Sequence, residues 1–186
     1  MNTPDVFKYG SLVSIPLFSI IALSLIRGAS HFSFRKHTVS KSVNYLKHPI
    51  HMIVFRMNFI IKALLDFGFI LYVLNHFKIS LASPFIWSLI VSALLFGSLA
   101  YFIEGKHTVL HQIIIYSSGV LWAVGQLYIA RLTGDGFFIQ LTNIMVIVPI
   151  IIAFGFMFAN KTNVFVQALC MSIWYIWLLI FVFGYL

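Results

Sequence analysis

The chain has 186 residues, 61% of them hydrophobic and only 9% charged, with 12 Lys and Arg against 4 Asp and Glu and a formal net charge of +8. An ordinary soluble domain carries about 25% charged residues, so this composition excludes a water-soluble fold and points to a membrane. The positive excess gathers in one loop where membrane topology accounts for it, so a nucleic-acid partner is not expected.

Six apolar runs approach the about 20 residues that a spanning helix needs, at 9–26, 52–77, 79–103, 107–131, 137–158 and 164–185. They are continuous rather than alternating, which favours helices over a β-barrel. The short connections after the second to fifth runs predict antiparallel neighbours. The expected fold is therefore all-α, a single polytopic domain over residues 1–186 with about six transmembrane helices.

The first run is preceded by Asp5 and Lys8, is long for a signal h-region and is followed by no A-x-A site. It is expected to be a retained span. The loop at 27–51 then carries Arg27, Arg35, Lys36, Lys41 and Lys47 with no acidic residue, and Arg56 follows at the next helix's start. By the excess of Lys and Arg, this loop is expected on the cytoplasmic side, with both termini opposite. Val39, Val43 and Leu46 repeat at helical spacing beside Phe32, Phe34 and Tyr45, the pattern of an interfacial amphipathic segment. Arg35, Lys36, Lys41 and Lys47 are its candidate contacts to anionic lipid.

Pro49 suits the first turn of the second helix, so the helix can begin near His48. Taking Asn58 as zero at about 100° per residue, His51 lies at about 20°, Lys62 at about 40°, and Asp66 and His48 at about 80°. These five polar residues share one stripe. An ionised side chain near a bilayer centre costs about 2.5–3.5 kcal/mol, so such residues face a protein interior, a partner or a wet cavity. Lys62, Asp66, Asn58 and His51 are accordingly the candidate polar intramembrane site, and Lys62 and Asp66, one turn apart, can pair. A structural ion pair and a ligand or proton site both fit that pattern.

The fourth run repeats it. Around Glu104 at zero, His107 falls at about −60°, His111 at about −20°, Ser118 at about −40° and Gln126 at about 40°. His107 and His111, at i and i+4, can address one metal ion from one face, with Glu104 and Ser118 as auxiliaries. The H-E-x-x-H zinc motif is not matched, since Thr108 follows His107. Entry of both stripes from the same side predicts their convergence on one cytoplasm-facing cavity. The fifth run has Pro149 near its middle, and the sixth has Gln167 and an aromatic cluster at Trp174, Tyr175 and Trp177. The single cysteine, Cys170, rules out an intrachain disulfide.

The six-run layout, with HTVS at His37–Ser40 and KHTVLH at Lys106–His111, resembles little-characterised six-span bacterial membrane proteins distantly like the Frag/DRAM/Sfk group. That resemblance implies a six-helix fold in a bacterial inner membrane but no established reaction. The order Ser33-x-x-x-His37, Asp66, His107-x-x-x-His111 also resembles the membrane hydrolases that include alkaline ceramidases and adiponectin-type receptors. It implies zinc held by His37, His107 and His111, with Asp66 as orienter or base and a lipid amide or ester as substrate. Here the spacing is compressed and a seventh span is missing.

No complete catalytic constellation is visible. The leading expectation is a non-enzymatic membrane protein whose polar cavity binds a lipid headgroup, ion or partner helix, with membrane lipids, a membrane-protein partner or a second copy as partners. A zinc-dependent lipid hydrolase and a proton-coupled transporter or channel are the alternatives.

Overall fold

The fold, a computed structural model, is described for residues 4–27, 29, 31–159 and 161–186, so residues 28 and 30 of the basic loop lie outside it. Among the described residues it is entirely helical apart from turns. A short 3₁₀ turn, Asp5–Tyr9, leads into α1 (Gly10–Arg27), and α2 (Pro49–His76), α3 (Pro84–Ser98), α4 (Thr108–Leu132), α5 (Gly136–Phe158) and α6 (Val164–Gly184) follow.

The helix starts obey local chemistry. Pro49 and Pro84 occupy first-turn positions where no backbone N–H is needed. Asp135 accepts from the N–H groups of Phe137 and Phe138, and Asn163 from those of Phe165 and Val166, satisfying donors that α5 and α6 would otherwise orphan. The end of α2 is a Schellman motif, in which Lys78 N–H donates to Asn75 O and Ile79 N–H to Leu74 O. Lys78 takes the left-handed position at φ 52°, where glycine is the usual residue.

Five helices are long and apolar enough to cross a membrane; α3, with 15 residues, is shorter. The expected third span, 79–103, is thereby corrected. Pro84 sets its start, and beyond Ser98 the chain tightens into i→i+3 bonds, Leu99 to Phe96, Ala100 to Gly97 and Tyr101 to Ser98, that end the α-helix. Large apolar side chains point outward along the helices, including Ile20, Ile53, Leu64, Leu94, Ile113, Ile147, Ile151 and Ile176. An outer surface this apolar suits hydrocarbon rather than water. The chain is an α-helical membrane bundle.

Each helix packs against its chain neighbours and α6 returns to α1, which closes a ring. Facing pairs show the antiparallel order: Phe18 on Phe59, Gly97 on Ala63, Ser92 on Ser118, Tyr116 on Phe154 and Cys170 on Pro149. The ends of α1, α3 and α5 therefore lie with the starts of α2, α4 and α6, at what is here named the basic end. The close approaches rely on small residues, since lipid supplies no hydrophobic drive between helices. A Cβ on Gly10 would overlap the carbonyl oxygen of Leu65, and one on Gly125 would overlap the side chain of Leu89.

The two halves of the ring differ. Toward the opposite end, Phe69, Ile70, Val73, Ile86, Leu89, Ile129, Phe138, Trp177 and Phe181 fill the interior. Trp177 is fully buried there, and its indole N–H donates to Thr142 Oγ1 at 2.8 Å, a bond between α5 and α6. Toward the basic end a second cluster, built on Phe18, Phe55, Phe59, Leu99 and Ile114, packs one side of the ring and leaves a hollow beside it.

The segment with the amphipathic repeat packs on the bundle. It forms a 3₁₀ turn, Ser40–Tyr45, and Val43 and Leu46 pack into a cluster with Phe18, Ala22, Phe55, Phe59, Leu99 and Ile114. Its apolar repeat is satisfied by the end of the bundle.

Candidate functional site

The basic half holds a cavity of about 200 Å³ to which all six helices contribute side chains. Its walls are mainly apolar and aromatic, with Phe18, Phe59, Phe96, Tyr116, Phe154 and Trp174 prominent. Two of its lining residues carry charge, Lys62 and Asp66.

These two are one turn apart on α2, and Lys62 Nζ lies 2.5 Å from Asp66 Oδ2. Their side chains are 12% and 4% exposed, so the pair is buried rather than solvated. The other carboxylate oxygen of Asp66 accepts from Ser14 Oγ of α1 at 2.7 Å. The ammonium of Lys62 sits 4.6 Å from the centroid of the Phe96 ring on α3, a cation–π contact. Three helices are thus tied at one charged point, where the cavity meets the packed half. Among the described residues, the Asp66 carboxylate is the sole hydrogen-bond acceptor on Lys62, which has three N–H donors.

The remaining candidates divide. Asn58 is buried in the stripe with Lys62 and Asp66, but its Nδ2 donates to Phe18 O at 2.9 Å and it does not line the cavity. His51 keeps its helical register in α2 but is exposed rather than buried. It lies in the first turn of α2, where side chains lean toward the helix N-terminus, and its ring is 5.4 Å from that of the N-cap residue His48. Arg56 is exposed.

On α4, Ser118 lines the same cavity and is bonded to Ser92 of α3, hydroxyl to hydroxyl at 3.2 Å. Of the α4 stripe, Ser118 alone lines the cavity with Lys62 and Asp66, and Glu104, His107 and His111, expected to converge on it, lie elsewhere. Glu104 precedes the helix, because the chain turns at Gly105, with φ 101°, before α4 starts at Thr108. It meets the basic loop, its carboxylate accepting from Thr38 Oγ1 and its carbonyl from Asn44 Nδ2.

The three candidate zinc ligands do not assemble. His107 is the exposed residue before α4, with φ −134° and ψ 48°, so the i, i+4 geometry is lost at its first member. His111 is buried, and its Nδ1 lies 2.6 Å from Phe102 O, to which it donates. His37 accepts from Ser33 N–H on Nδ1 at 3.2 Å and holds Tyr45 Oη at 3.2 Å from Nε2. The neutral ring then carries its proton on Nε2. Partial burial, followed by the charges of Lys41 and Lys36, pushes the His37 pKa below its ordinary value, against a smaller pull from Glu104. Among the described residues no three His, Cys, Asp or Glu side chains are placed to hold one metal ion.

The basic loop closes the cavity at its own end. Val39 and Ser40 line it, facing Thr162 and Gln167. The loop is stitched to the start of α6 by three bonds: Val39 N–H to Gln167 Oε1 at 2.8 Å, Val164 N–H to His37 O at 3.0 Å, and Asn163 Nδ2 to Arg35 O at 3.2 Å. Arg35, Lys36 and Lys47 are exposed, and Lys41 is half-buried.

Sequence reasoning missed Ser14, the aromatic wall and the role of Gln167. A signal for Ser14 existed, since Ser11 and Ser14 are three apart in an apolar run and so share a helix face. The aromatic wall had none, because Phe and Trp line apolar helices whether or not a cavity lies behind them. Comparison with protein-family models, curated proteins and solved structures returned no match.

Proposed function

We propose that this is an integral membrane protein that binds an amphiphilic molecule inside its helical ring, the apolar body against the aromatic wall and the polar head at Lys62 and Asp66. One observation carries the reading. The cavity joins apolar walls to a single charged pair at its inner limit, the combination typical of small-molecule sites, where a few polar groups orient a ligand held by apolar contact. A purely structural ion pair has no need of an adjoining hollow.

The basic end faces the cytoplasm in this reading, because Arg27, Arg35, Lys36, Lys41, Lys47, Arg56, Lys106 and Lys161 all lie there with Glu104 as the one acidic residue. The resemblance to six-span bacterial proteins supports a bacterial inner membrane. Exposed Arg35, Lys36 and Lys47 would then meet anionic headgroups, each adding about 1 kcal/mol of attraction.

Native mass spectrometry of protein extracted with its lipids tests the binding role. Wild type is expected to retain an apolar adduct, and Ala153→Trp, which places an indole in the cavity from α5, is expected to lose it. Equal retention in both proteins defeats the reading.

A further inference from the structure

We infer that the molecule held in this cavity has an uncharged head bearing a carbonyl acceptor, the class of esters and quinone-like rings, and that acids and amines of the same chain length are discriminated against. The inference rests on the amphiphile-binding reading and adds the charge and hydrogen-bonding character of the ligand.

Charge comes first. Lys62 and Asp66 are the charged residues of the lining and already neutralise one another at 2.5 Å. A third charge entering the apolar cavity would find no free counterion there, and moving an unpaired ion from water into such surroundings is heavily penalised. A carboxylate head could reach a spare Lys62 donor, but Asp66 already neutralises that ammonium, so the site would be left with an uncompensated negative charge in apolar surroundings. An ammonium head would compete with Lys62 for the same acceptor and force two like charges together. A neutral head disturbs neither bond.

The hydrogen-bond inventory supplies the second condition. At the inner limit of the cavity, both oxygens of Asp66 already accept, one from Lys62 and one from Ser14. Lys62 has three donors, one engaged by Asp66, with the ammonium facing the Phe96 ring. Gln167, at the other end of the lining, has its Oε1 taken by Val39 N–H, leaving its amide N–H₂ as the side chain's free group. Trp174, also in the lining, has an indole N–H without a partner. Apart from the lining hydroxyls, which both donate and accept, and the second lone pairs on Asp66, the spare capacity lies in the donors of Lys62, Gln167 and Trp174. A ligand that brings acceptors and no donors matches it, and a carbonyl does so without adding charge. The aromatic wall accommodates either a flat ring or an acyl chain.

A matched series with twelve-carbon chains tests this: dodecane, methyl laurate, laurate and dodecylamine, with a fully ring-substituted benzoquinone bearing a decyl chain, which offers a thiol no open ring position, as the ring-bearing alternative to the ester. Cys170 is the protein's one cysteine and lines the cavity, so its alkylation by N-ethylmaleimide, counted by mass, reports occupancy in the purified full chain at pH 8. Methyl laurate or the benzoquinone is expected to protect Cys170 at concentrations at least about tenfold below those needed for dodecane, the effect of one hydrogen bond to a charged donor. Laurate and dodecylamine should require at least about tenfold more than the best neutral carbonyl compound. Lys62→Met should abolish the preference for ester over dodecane; the wild-type series decides the matter if that variant does not fold.

Protection by laurate or dodecylamine equal to or better than the carbonyl compounds overturns the inference, as does dodecane protecting equally well. In those outcomes the cavity still binds apolar molecules and the binding reading survives. If no compound protects Cys170, the binding reading and the inference fall together.

Discussion

Removing one member of the Lys62–Asp66 pair is expected to cost far more than removing both. The side chains are 12% and 4% exposed, so each single substitution leaves the other charge in a low-dielectric interior. Breaking a buried pair costs about 3–5 kcal/mol, against about 0.2–1 kcal/mol for a solvated pair. Asp66→Asn keeps an acceptor for Ser14 and strands the Lys62 ammonium. Lys62→Met keeps the length of the stem and strands Asp66. The double variant removes both charges and should lie within about 1–2 kcal/mol of wild type, because paired buried charges contribute little net stability. Reversible unfolding in mixed detergent micelles, followed by circular dichroism, measures all four corners of the cycle. Single variants that each lose less than about 1 kcal/mol, with a double variant equal to their sum, would refute the assignment of a buried, mutually dependent pair.

Other expectations follow from local geometry. Gly10→Ala should destabilise the bundle by about 1–3 kcal/mol in the same unfolding assay, since its Cβ would overlap backbone rather than a movable side chain. Lys78→Gly should stabilise by about 1 kcal/mol, because the residue occupies a left-handed position that glycine adopts freely; an unchanged or lowered midpoint would contradict this. The Asp135 carboxyl is held below its usual range, first by the Tyr185 hydroxyl at 2.6 Å and then by the N–H groups of Phe138 and Phe137. Its stabilising contribution is therefore complete above the ordinary carboxyl pKa of about 3.9 and disappears as pH falls through the lowered value, so Asp135→Asn should flatten the acid side of a midpoint-versus-pH curve. His37 is also pushed below its ordinary value, by partial burial and by Lys41 and Lys36. The loop's hold should be full above about pH 6.5 and weaken on acidification, seen as amide protection over residues 33–45, corrected for the intrinsic rate at each pH, that falls in wild type and not in His37→Gln.

Helix class and approximate boundaries were legible because lipid and backbone chemistry leave little choice: an apolar run of spanning length must bond its own backbone groups. Five runs became helices within about three residues of their expected limits. The third was overestimated because hydropathy does not register Pro84 as a start or the tightened turn after Ser98 as a stop. Helical periodicity located Lys62, Asp66, Asn58 and Ser118 on inward faces, but it held only where the residues were in a helix and neighbours were present to cover them. His51 lies in an uncovered first turn, and Glu104 and His107 precede α4.

From the sequence alone came the membrane environment, the helices, the uneven charge and the pairing of Lys62 with Asp66, all of them consequences of composition and of contacts within one or two turns. What lies around that pair depended on residues far apart in the chain. Ser14 reaches Asp66 across 52 positions, and Val39 reaches Gln167 across 128. Only the closed ring sets these distances, and only the ring leaves a cavity in its basic half. A cavity is space that side chains from every helix fail to occupy, so no single segment carries its signature.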